Sequence, residues 1–590
     1  MFQVNYQKRK NSDLFKTLEG TDTLFLSNAQ NYIPIYNKFF ALNDSNYNNI
    51  NLNNKWYISN VNEGDEDGCR LFDCRIKNIQ NNKVKDKEVF FKMAPLLDPF
   101  KYLVGKYNAK DDKLFTLPQI NSTENDCHPK FLDQNNSAYV DGMFLFLSSN
   151  LIYSNGFYHG VDYYGSFLGI KNNFILNVAD DIDYLNDSEY FNKNKNVLFK
   201  IEDYEHLFQD EIQKLKPITI QHNSSAKSQM SIKSFDNEMF ENVFDENNTC
   251  VLDLHSDLID ITDNNLLQGK ETIANVTLKS NSTCSSRSSY TDNEEEHSVC
   301  DDCGEIENLD SNNGENYEPD GYNEDDIDES DEEEEEEEIN ATIPKFPVQV
   351  IGMESCENTF DDLILTSDLS KEEWLSALMQ IIMILITYQK AFNFTHNDLH
   401  TNNVMYNHTD KKFIFYCYKK KYYKVPTFGR IFKIIDFGRS IYKFDGKIFC
   451  SDSFQLGGDA ATQYNTEPYL NDKKPRLEPN YSFDLCRLAC SIFDYLVEDF
   501  DEIKDLSECD NPVKRIIVEW CLDDKGINML YKGNGVDRYP DFKLYKMIAR
   551  CVHNHTPQMQ LDRPEFDAYS KFKGEVSKDV INIDNISSYV

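Results

Sequence analysis

Apolar residues cluster in two parts of the chain, about 55–185 and 344–570, and the pattern within these parts predicts secondary structure. In the first part, three short runs are rich in aromatic and β-branched residues and are separated by Asn, Gly and Asp. Such runs predict strands, here over residues 55–59, 69–76 and 88–93. The apolar pattern over residues 139–152 is closer to that of a helix.

The second part begins with a predicted strand over residues 346–354. Ser370 and Glu373 then form a capping-box pattern, which predicts the start of a helix. The apolar positions that follow recur at helical spacing, and they are Leu375, Leu378, Ile382, Leu385 and Ile386. This helix leads the chain to His396. Further helices are predicted over residues 483–497 and 513–521.

Between these parts, residues 186–343 are rich in Ser, Asn, Asp and Glu. The tract 292–338 contains 25 Asp and Glu and no Lys or Arg, so it carries most of the net charge of −40. A segment of this composition buries too little apolar surface to offset its ordering entropy, and we expect it to be largely disordered. Because the acidity is concentrated in one tract, composition also argues against nucleic acid as a direct partner.

These shifts in composition divide the chain into five segments. They are an N-terminal arm, a strand-rich part, the acidic insertion, a helical part and a C-terminal tail, at residues 1–54, 55–185, 186–343, 344–570 and 571–590. The N-terminus shows no secretory signal, and the most apolar run, 377–386, is shorter than the ~20 residues of a membrane helix. The scattered cysteines are typical of free thiols in a reducing compartment. We therefore expect a cytoplasmic protein with no membrane partner.

The most informative motif is His396-Asn397-Asp398-Leu399-His400-Thr401-Asn402-Asn403, which follows the predicted buried helix. Further along, a strand-like run leads into Asp436-Phe437-Gly438. An Asp that accepts a hydroxyl proton, with an Asn and a second Asp that bind Mg²⁺, are the parts of a phosphoryl-transfer site. We take Asp398 as the candidate base, and Asn403 and Asp436 as the candidate metal ligands.

The two motifs, H-x-D-L-x-x-x-N and D-F-G, resemble the catalytic core of the protein kinases. Lys92 lies at the end of a predicted strand, as the nucleotide-binding Lys of that family does, and Asp484 resembles the Asp that braces the kinase catalytic loop. The resemblance covers about 55–185 and 344–570. It implies an α+β, two-lobed fold with a small β-rich lobe and a larger helical lobe.

The resemblance also implies a function, which is the transfer of the ATP γ-phosphate to Ser or Thr hydroxyls of an unidentified protein substrate, with Mg²⁺. Lys92 is then expected to bind the nucleotide phosphates and to assist catalysis with Asp398 and Asn403. Met353 and Glu354 are expected at the hinge that receives adenine. Asp141, on the helix after Lys92, is the candidate ion-pair partner of Lys92, or else an exposed helix residue.

The chain departs from the kinase pattern in the turn before Lys92, at His400 and in having no clear A-P-E after the D-F-G motif. The turn before Lys92, residues 62–68, has acidic residues and no G-x-G-x-x-G. This departure favours an alternative, a pseudokinase that binds partners as a scaffold. His400 stands where most serine/threonine kinases have Lys, and D-L-H-x-x-N also occurs in aminoglycoside-phosphotransferase-like enzymes and in haspin. A third interpretation is therefore a small-molecule kinase.

Several phrases are similar to the kinase-like proteins of giant DNA viruses, at residues 92–99, 425–430, 458–465 and 478–484. The stretch over residues 442–452 is somewhat like the corresponding stretch of haspin. The viral resemblance implies a serine/threonine kinase of infected-cell cytoplasm or of virions.

The segment 411–433 separates the two catalytic motifs. It predicts a hairpin with a basic turn at Lys419, Lys420 and Lys421. A further hypothesis is that the acidic tract 292–338 docks on this turn within the same chain, because a flexible tether raises the effective concentration of opposite charges.

Overall fold

The computed structural model describes residues 2–62, 70–202, 204, 339–507, 509–533, 535–540 and 542–590. The chain divides into two units, and every described helix and strand belongs to the unit formed by residues 1–202 and 279–590. The acidic tract 292–338 lies outside the described residues, as does nearly all of the turn over residues 62–68. The predicted disorder of that tract and its docking therefore stay predictions.

Seventeen strands are present among the described residues. They are β1 Tyr6–Lys8, β2 Leu26–Gln30, β3 Ile50–Leu52, β4 Trp56–Val61, β5 Leu71–Asn78, β6 Val84–Pro95, β7 Tyr163–Asn177, β8 Lys200–Ile201, β9 Asn340–Glu354, β10 Asn358–Thr359, β11 Val404–His408, β12 Phe413–Tyr418, β13 Lys421–Pro426, β14 Arg430–Ile434, β15 Ile441–Phe444, β16 Lys447–Cys450 and β17 Val580–Asn582.

The α-helices of the described part follow the same order along the chain. They are α1 Ser12–Leu18, α2 Pro99–Leu103, α3 Pro129–Leu132, α4 Ser137–Asn155, α5 Ile182–Asp187, α6 Glu189–Asn194, α7 Phe360–Thr366, α8 Lys371–Phe392, α9 Phe483–Leu496, α10 Pro512–Trp520, α11 Lys543–Cys551, α12 Pro557–Gln560 and α13 Pro564–Asp567. The mixed α+β class expected from the sequence is confirmed.

A seven-stranded antiparallel sheet forms the larger part of the N-terminal half. Its order is β2-β7-β9-β6-β5-β4, and β8 pairs with β9. The strands predicted over residues 55–59, 69–76 and 88–93 correspond to β4, β5 and β6, which form a meander. The curled sheet packs one face on α4, the helix predicted over residues 139–152.

The structure extends this sheet beyond two predicted boundaries. Strand β2 comes from the segment 1–54, so the predicted arm supplies an edge strand. Strand β9 begins at Asn340 and α5, α6 and β8 span residues 182–201, so both ends of the predicted insertion 186–343 belong to regular elements. Pro344 has no partner in the ladder between β7 and β9. The pairs on either side of it are Phe174–Ile343 and Asn172–Lys345.

Helix α8 is the centre of the C-terminal half. The predicted capping box is present, because the Ser370 side chain accepts from the backbone of Glu373 and the Glu373 side chain accepts from the backbone of Ser370. By its length and composition alone, this helix could cross a membrane. The apolar run 377–386 that was read from the sequence is shorter than the helix itself. However, 94% of its most apolar window is buried inside the protein, as in the core helix of many globular folds.

The hairpin β12–β13 confirms the strand pair predicted within residues 411–433, and its basic turn contacts the C-terminal segment. The backbone N–H groups of Lys419 and Lys420 donate to the Asp584 carboxylate, at 2.8 and 2.7 Å. Lys421 forms an ion pair with Asp567. Strand β17 adds to β12 in parallel.

The hairpin β15–β16, which follows the D-F-G motif, is covered by both terminal segments. The Tyr589 ring packs against Phe392, Phe444 and Phe2, with ring centroids 5.0–6.0 Å apart. The backbone N–H of Asp445 donates to the Tyr589 carbonyl at 2.7 Å. We call this cluster of Phe2, Phe392, Phe444 and Tyr589 the aromatic clasp.

Candidate active site

The sheet and helix α4 meet at an ion-pair cluster around Lys92. The Nζ atom of Lys92 lies 2.7 Å from Asp141 Oδ2 and 2.9 Å from Asp436 Oδ1. The predicted partnership of Lys92 with Asp141 is therefore present, although 49 positions separate the two residues. Gly142 lets α4 approach β9 closely, because a Cβ at that position would overlap the Gln349 side chain.

Burial and charge oppose one another in this cluster. Burial alone would lower the pKa of Lys92, but the carboxylates of Asp141 and Asp436 raise it above its usual value. Burial acts against ionisation of Asp436 too, yet the neighbouring Lys92 lowers the pKa of Asp436 to about 2. Lys92 is therefore a cation, and Asp436 an anion, throughout the neutral range.

The loop that contains the first motif is held by Asp484 at the start of α9. The buried Asp484 carboxylate accepts hydrogen bonds from the backbone N–H groups of His396 and Asn397, both at 2.9 Å. Asn397 has a positive φ of 65°, and its side-chain oxygen accepts from the Tyr464 hydroxyl at 2.8 Å. The bracing role expected of Asp484 from the sequence thus has a direct physical basis.

We expect the Asp484→Ala variant to lose about 2–5 kcal/mol of the free energy of unfolding, because two buried N–H donors lose their acceptor. Urea denaturation measures this loss. The Asp484→Asn variant keeps one carbonyl oxygen and should lose less. Equal stability of wild type and Asp484→Ala would contradict the bracing role.

Asp398 is mostly buried and has two partners outside its loop. Its Oδ1 accepts from the Tyr545 hydroxyl at 2.7 Å, and its Oδ2 lies 3.5 Å from the Arg439 guanidinium. Burial alone would raise the pKa of Asp398, but Arg439 above all holds that pKa below its usual value. The carboxylate is therefore ionised at neutral pH, as a proton acceptor must be.

Asn403 and His400 form the other side of this loop. The Asn403 Nδ2 atom donates to the Asp398 carbonyl at 2.9 Å and lies 3.0 Å from His400 Nε2. Burial lowers the pKa of His400 to about 4, so His400 is neutral at pH 7 and can accept this bond. Because the amide nitrogen has two acceptors, the side-chain oxygen of Asn403 is the atom left to bind a cation.

The D-F-G segment is fastened to both motifs. The backbone N–H of Ile435 donates to the Asn403 carbonyl at 3.0 Å, and that of Phe437 donates to Asp141 Oδ1 at 2.9 Å. The Phe437 ring is fully buried and packs against Phe144. Asp436 itself has a positive φ of 61°. These contacts direct the Asp436 side chain to the edge of the core, where about half of it is exposed.

A cavity of about 770 Å³ opens beside these groups, and its lining includes Asp398, His400, Asn403, Asp436 and Arg439. Lys92 is not one of the lining residues, but it forms an ion pair with Asp436, which is. The lining also includes residues from the segment 95–107. The structure thus brings four of the predicted residues together: Lys92, Asp398, Asn403 and Asp436.

The lining groups suit magnesium chemistry in their donor type. Asp436 presents a half-exposed carboxylate and Asn403 an amide oxygen, and hard oxygen donors are those that Mg²⁺ prefers. Within the described residues, no group of three or more His, Cys, Asp and Glu has the arrangement of a metal site. Mg²⁺ commonly uses only one or two carboxylates and takes its other ligands from substrate phosphates and water.

Met353 and Glu354 lie at the end of β9 and do not line this cavity. Met353 pairs with Phe90 on one side and Tyr163 on the other. The Glu354 carboxylate accepts from Lys433 and Asn407, at 3.1 and 2.9 Å. The side chain of Glu354 is therefore used inside the protein, and the expected contact of these residues with adenine stays a prediction.

Three residues around Asp398 were not found from the sequence. Arg439 directly follows the D-F-G motif, and this position was the only signal that could have indicated it. Tyr545 lies 147 positions from Asp398, on α11, and Arg487 is on α9. No short motif connects Tyr545 with the catalytic loop, and the only signal for Arg487 was its place three positions after Asp484.

Comparison with protein-family models and with curated proteins identifies no relative of this chain. No protein-family model matches the chain, and no curated protein matches it. The class that the structure defines is that of a mixed α+β protein with a cavity beside two acidic motifs.

Proposed function

We propose that this chain is a protein kinase with a two-lobed, kinase-like fold, which transfers the ATP γ-phosphate to Ser or Thr hydroxyls. One observation carries the proposal. The groups that phosphoryl transfer needs come from three distant parts of the sequence: a proton acceptor and an oxygen pair for Mg²⁺ line one cavity, and a cation, Lys92, pairs with the lining residue Asp436.

Each residue has a role that follows from its environment. Asp398, ionised and fixed by two partners, accepts the proton of the acceptor hydroxyl. Lys92 holds Asp436 in place and contributes positive charge next to the cavity. Asn403 and Asp436 would hold Mg²⁺. When bound, Mg-ATP supplies the phosphoryl group and part of the charge neutralisation. Catalysis of this kind depends mainly on positioning and electrostatics.

The topology supports the proposed fold. The antiparallel sheet carries Lys92, and α4 supplies its acidic partner. The two motifs lie in the part that is organised around α8 and α9. The site is thus built where the sheet-rich and helix-rich parts of the same unit contact one another, through the pair of Lys92 with Asp436.

A second candidate acceptor is a small alcohol. The cavity volume of about 770 Å³ lies within the range of small-molecule sites, and residues of the segment 95–107 line it together with Asp398. A small-molecule kinase would use the same Asp398, Asn403 and Asp436. Only the acceptor would differ.

The test has two stages. A thermal shift with ATP and Mg²⁺ should raise the melting temperature of the wild type, and neither ATP nor Mg²⁺ alone should give the full rise. A transfer panel then offers proteins beside aminoglycoside-like and choline-like alcohols with radiolabelled ATP. Labelled protein supports the leading proposal, and labelled alcohol supports the second candidate. Binding without transfer to any acceptor would leave a pseudokinase scaffold, and no binding at all would contradict the proposed function.

A further inference from the structure

The candidate base Asp398 is held by a residue that no catalytic motif contains. The Tyr545 hydroxyl donates to Asp398 Oδ1 at 2.7 Å. Tyr545 lies on α11, which packs against α9. The side chain that contacts the base therefore comes from a part of the chain well beyond both motifs.

The direction of this hydrogen bond is set by a second residue. The Nε atom of Arg487 donates to the Tyr545 oxygen at 2.9 Å. An arginine offers only donors, so the tyrosine oxygen must accept from it. The single hydroxyl proton of Tyr545 is then directed to Asp398, which as a carboxylate can only accept.

Neighbouring side chains also hold the Tyr545 ring in place. The ring is 6% exposed and lies nearly parallel to Phe542, with centroids 5.1 Å apart. The guanidinium groups of Arg487 and Arg439 lie 5.1 and 5.7 Å from the ring centroid. Tyr545 does not line the cavity. It therefore acts on the chemistry through residues that do line it, Asp398 by a hydrogen bond and Arg439 by a ring contact.

We propose that Tyr545, oriented by Arg487, is a positioning residue that fixes the rotation of the Asp398 carboxylate. This inference rests on the proposed function and adds a component to the same site. With Oδ1 held by Tyr545, Oδ2 is the oxygen left on the side of Arg439, which lines the cavity. Oδ2 is thus the atom that accepts the proton of the acceptor hydroxyl.

The first test is the pH profile of the Tyr545→Phe variant. We expect kcat to fall by about tenfold, the effect of losing one hydrogen bond to a charged group, with the KM for ATP unchanged. The donor stabilises the ionised form of Asp398, so its removal raises the pKa of Asp398. The acid limb of the kcat profile should then move to higher pH. A purely structural role for Tyr545 would lower activity without moving that limb.

Tyr531→Phe is the matched control. The Tyr531 hydroxyl donates to Asp494 Oδ1 at 2.9 Å, a bond of the same kind in the same part of the fold, and neither residue lines the cavity. This variant should keep the wild-type pH profile. An identical displacement of the profile in both variants would overturn the inference.

A second measurement does not need activity. With ¹³C-labelled aspartate carboxyl groups, NMR follows the titration of Asp398, and the Asp398→Asn variant assigns the signal. Tyr545→Phe, and also Arg487→Lys, which keeps the charge but loses Nε, should raise the pKa of Asp398. An unchanged titration in the folded variants would overturn the positioning role. If that titration shifts while the wild type transfers phosphate to no acceptor, Tyr545 still orients the Asp398 carboxylate, and it is the proposed function that fails.

Discussion

Asp398→Asn should lower phosphoryl transfer by about 10²–10⁴-fold, the usual contribution of a positioned proton acceptor. An amide has nearly the shape of a carboxylate but cannot take up the proton of the acceptor hydroxyl. Its oxygen can still accept from Tyr545, so the fold should persist with a loss of about 1–3 kcal/mol from the weakened contact with Arg439. Initial rates with saturating Mg-ATP, beside urea denaturation, measure the two effects separately.

The stability difference between wild type and Asp398→Asn should depend on pH. The pKa of Asp398 is lowered in the folded protein, so its ionisation contributes stability above the ordinary aspartate pKa. This contribution is lost as the pH falls through the folded pKa. The two proteins should therefore converge in stability at acid pH.

Asp523→Asn is the control for this experiment. Asp523 is buried and pairs with Arg538 at 3.0 Å, so it reproduces an Asp–Arg contact away from the cavity. The control should lose stability but retain transfer. Wild-type turnover in Asp398→Asn would contradict the role of Asp398 as the base.

Lys92→Met should abolish the thermal shift given by Mg-ATP and destabilise the protein without ligand by about 3 kcal/mol or more. The substitution leaves the carboxylates of Asp141 and Asp436 beside one another with no cation between them. Breaking a buried ion pair from one side typically costs ~3–5 kcal/mol, and the exposure of Asp436 favours the lower end. Urea denaturation at pH 7 measures the loss.

The deficit of Lys92→Met should shrink as the pH falls. Burial raises the pKa of Asp141 in the folded protein, so Asp141 is the carboxyl that takes up a proton first and relieves the repulsion. For the same reason, the double variant Lys92→Met with Asp141→Asn should recover much of the stability but not the nucleotide shift. A deficit that does not vary with pH would contradict this account.

Arg538→Met tests whether loss of any partly buried basic residue gives the same result. Arg538 pairs with Asp523 at 3.0 Å and does not line the cavity. This variant should also be destabilised, yet the thermal shift with Mg-ATP should remain in the folded protein. Loss of the shift in both variants would show that the shift reports on folding rather than on a nucleotide contact of Lys92.

The features that could be predicted from the sequence are those that a local pattern of residues determines. Asp398, Asn403 and Asp436 belong to short motifs, and α4, α8 and β4–β6 follow from apolar spacing. Lys92 lies at a recognisable point of a strand. The assignment of these residues therefore requires no knowledge of long-range contacts.

The rest depends on packing between distant segments. Strand β2 has an Asn28 with a φ of 58° and an irregular register with β7, so its residues show no strand pattern. Strand β9 contains Pro344, which argues locally against a central strand. Tyr545 reaches Asp398, and meets Arg487, only because α11 packs on α9, and neither helix shows that contact in its own sequence.

The aromatic clasp joins residues that are synthesised at very different times. The hairpin β15–β16, which follows Asp436, is covered by Tyr589, about 140 residues further along the chain. At the ~5–20 residues per second of protein synthesis, those residues take roughly 7–30 s to emerge. During that interval Phe444 has Phe2 and Phe392 beside it but lacks the Tyr589 ring, and Asp445 lacks the Tyr589 carbonyl. The hairpin that follows the D-F-G motif should therefore gain its full cover only after Tyr589 has emerged.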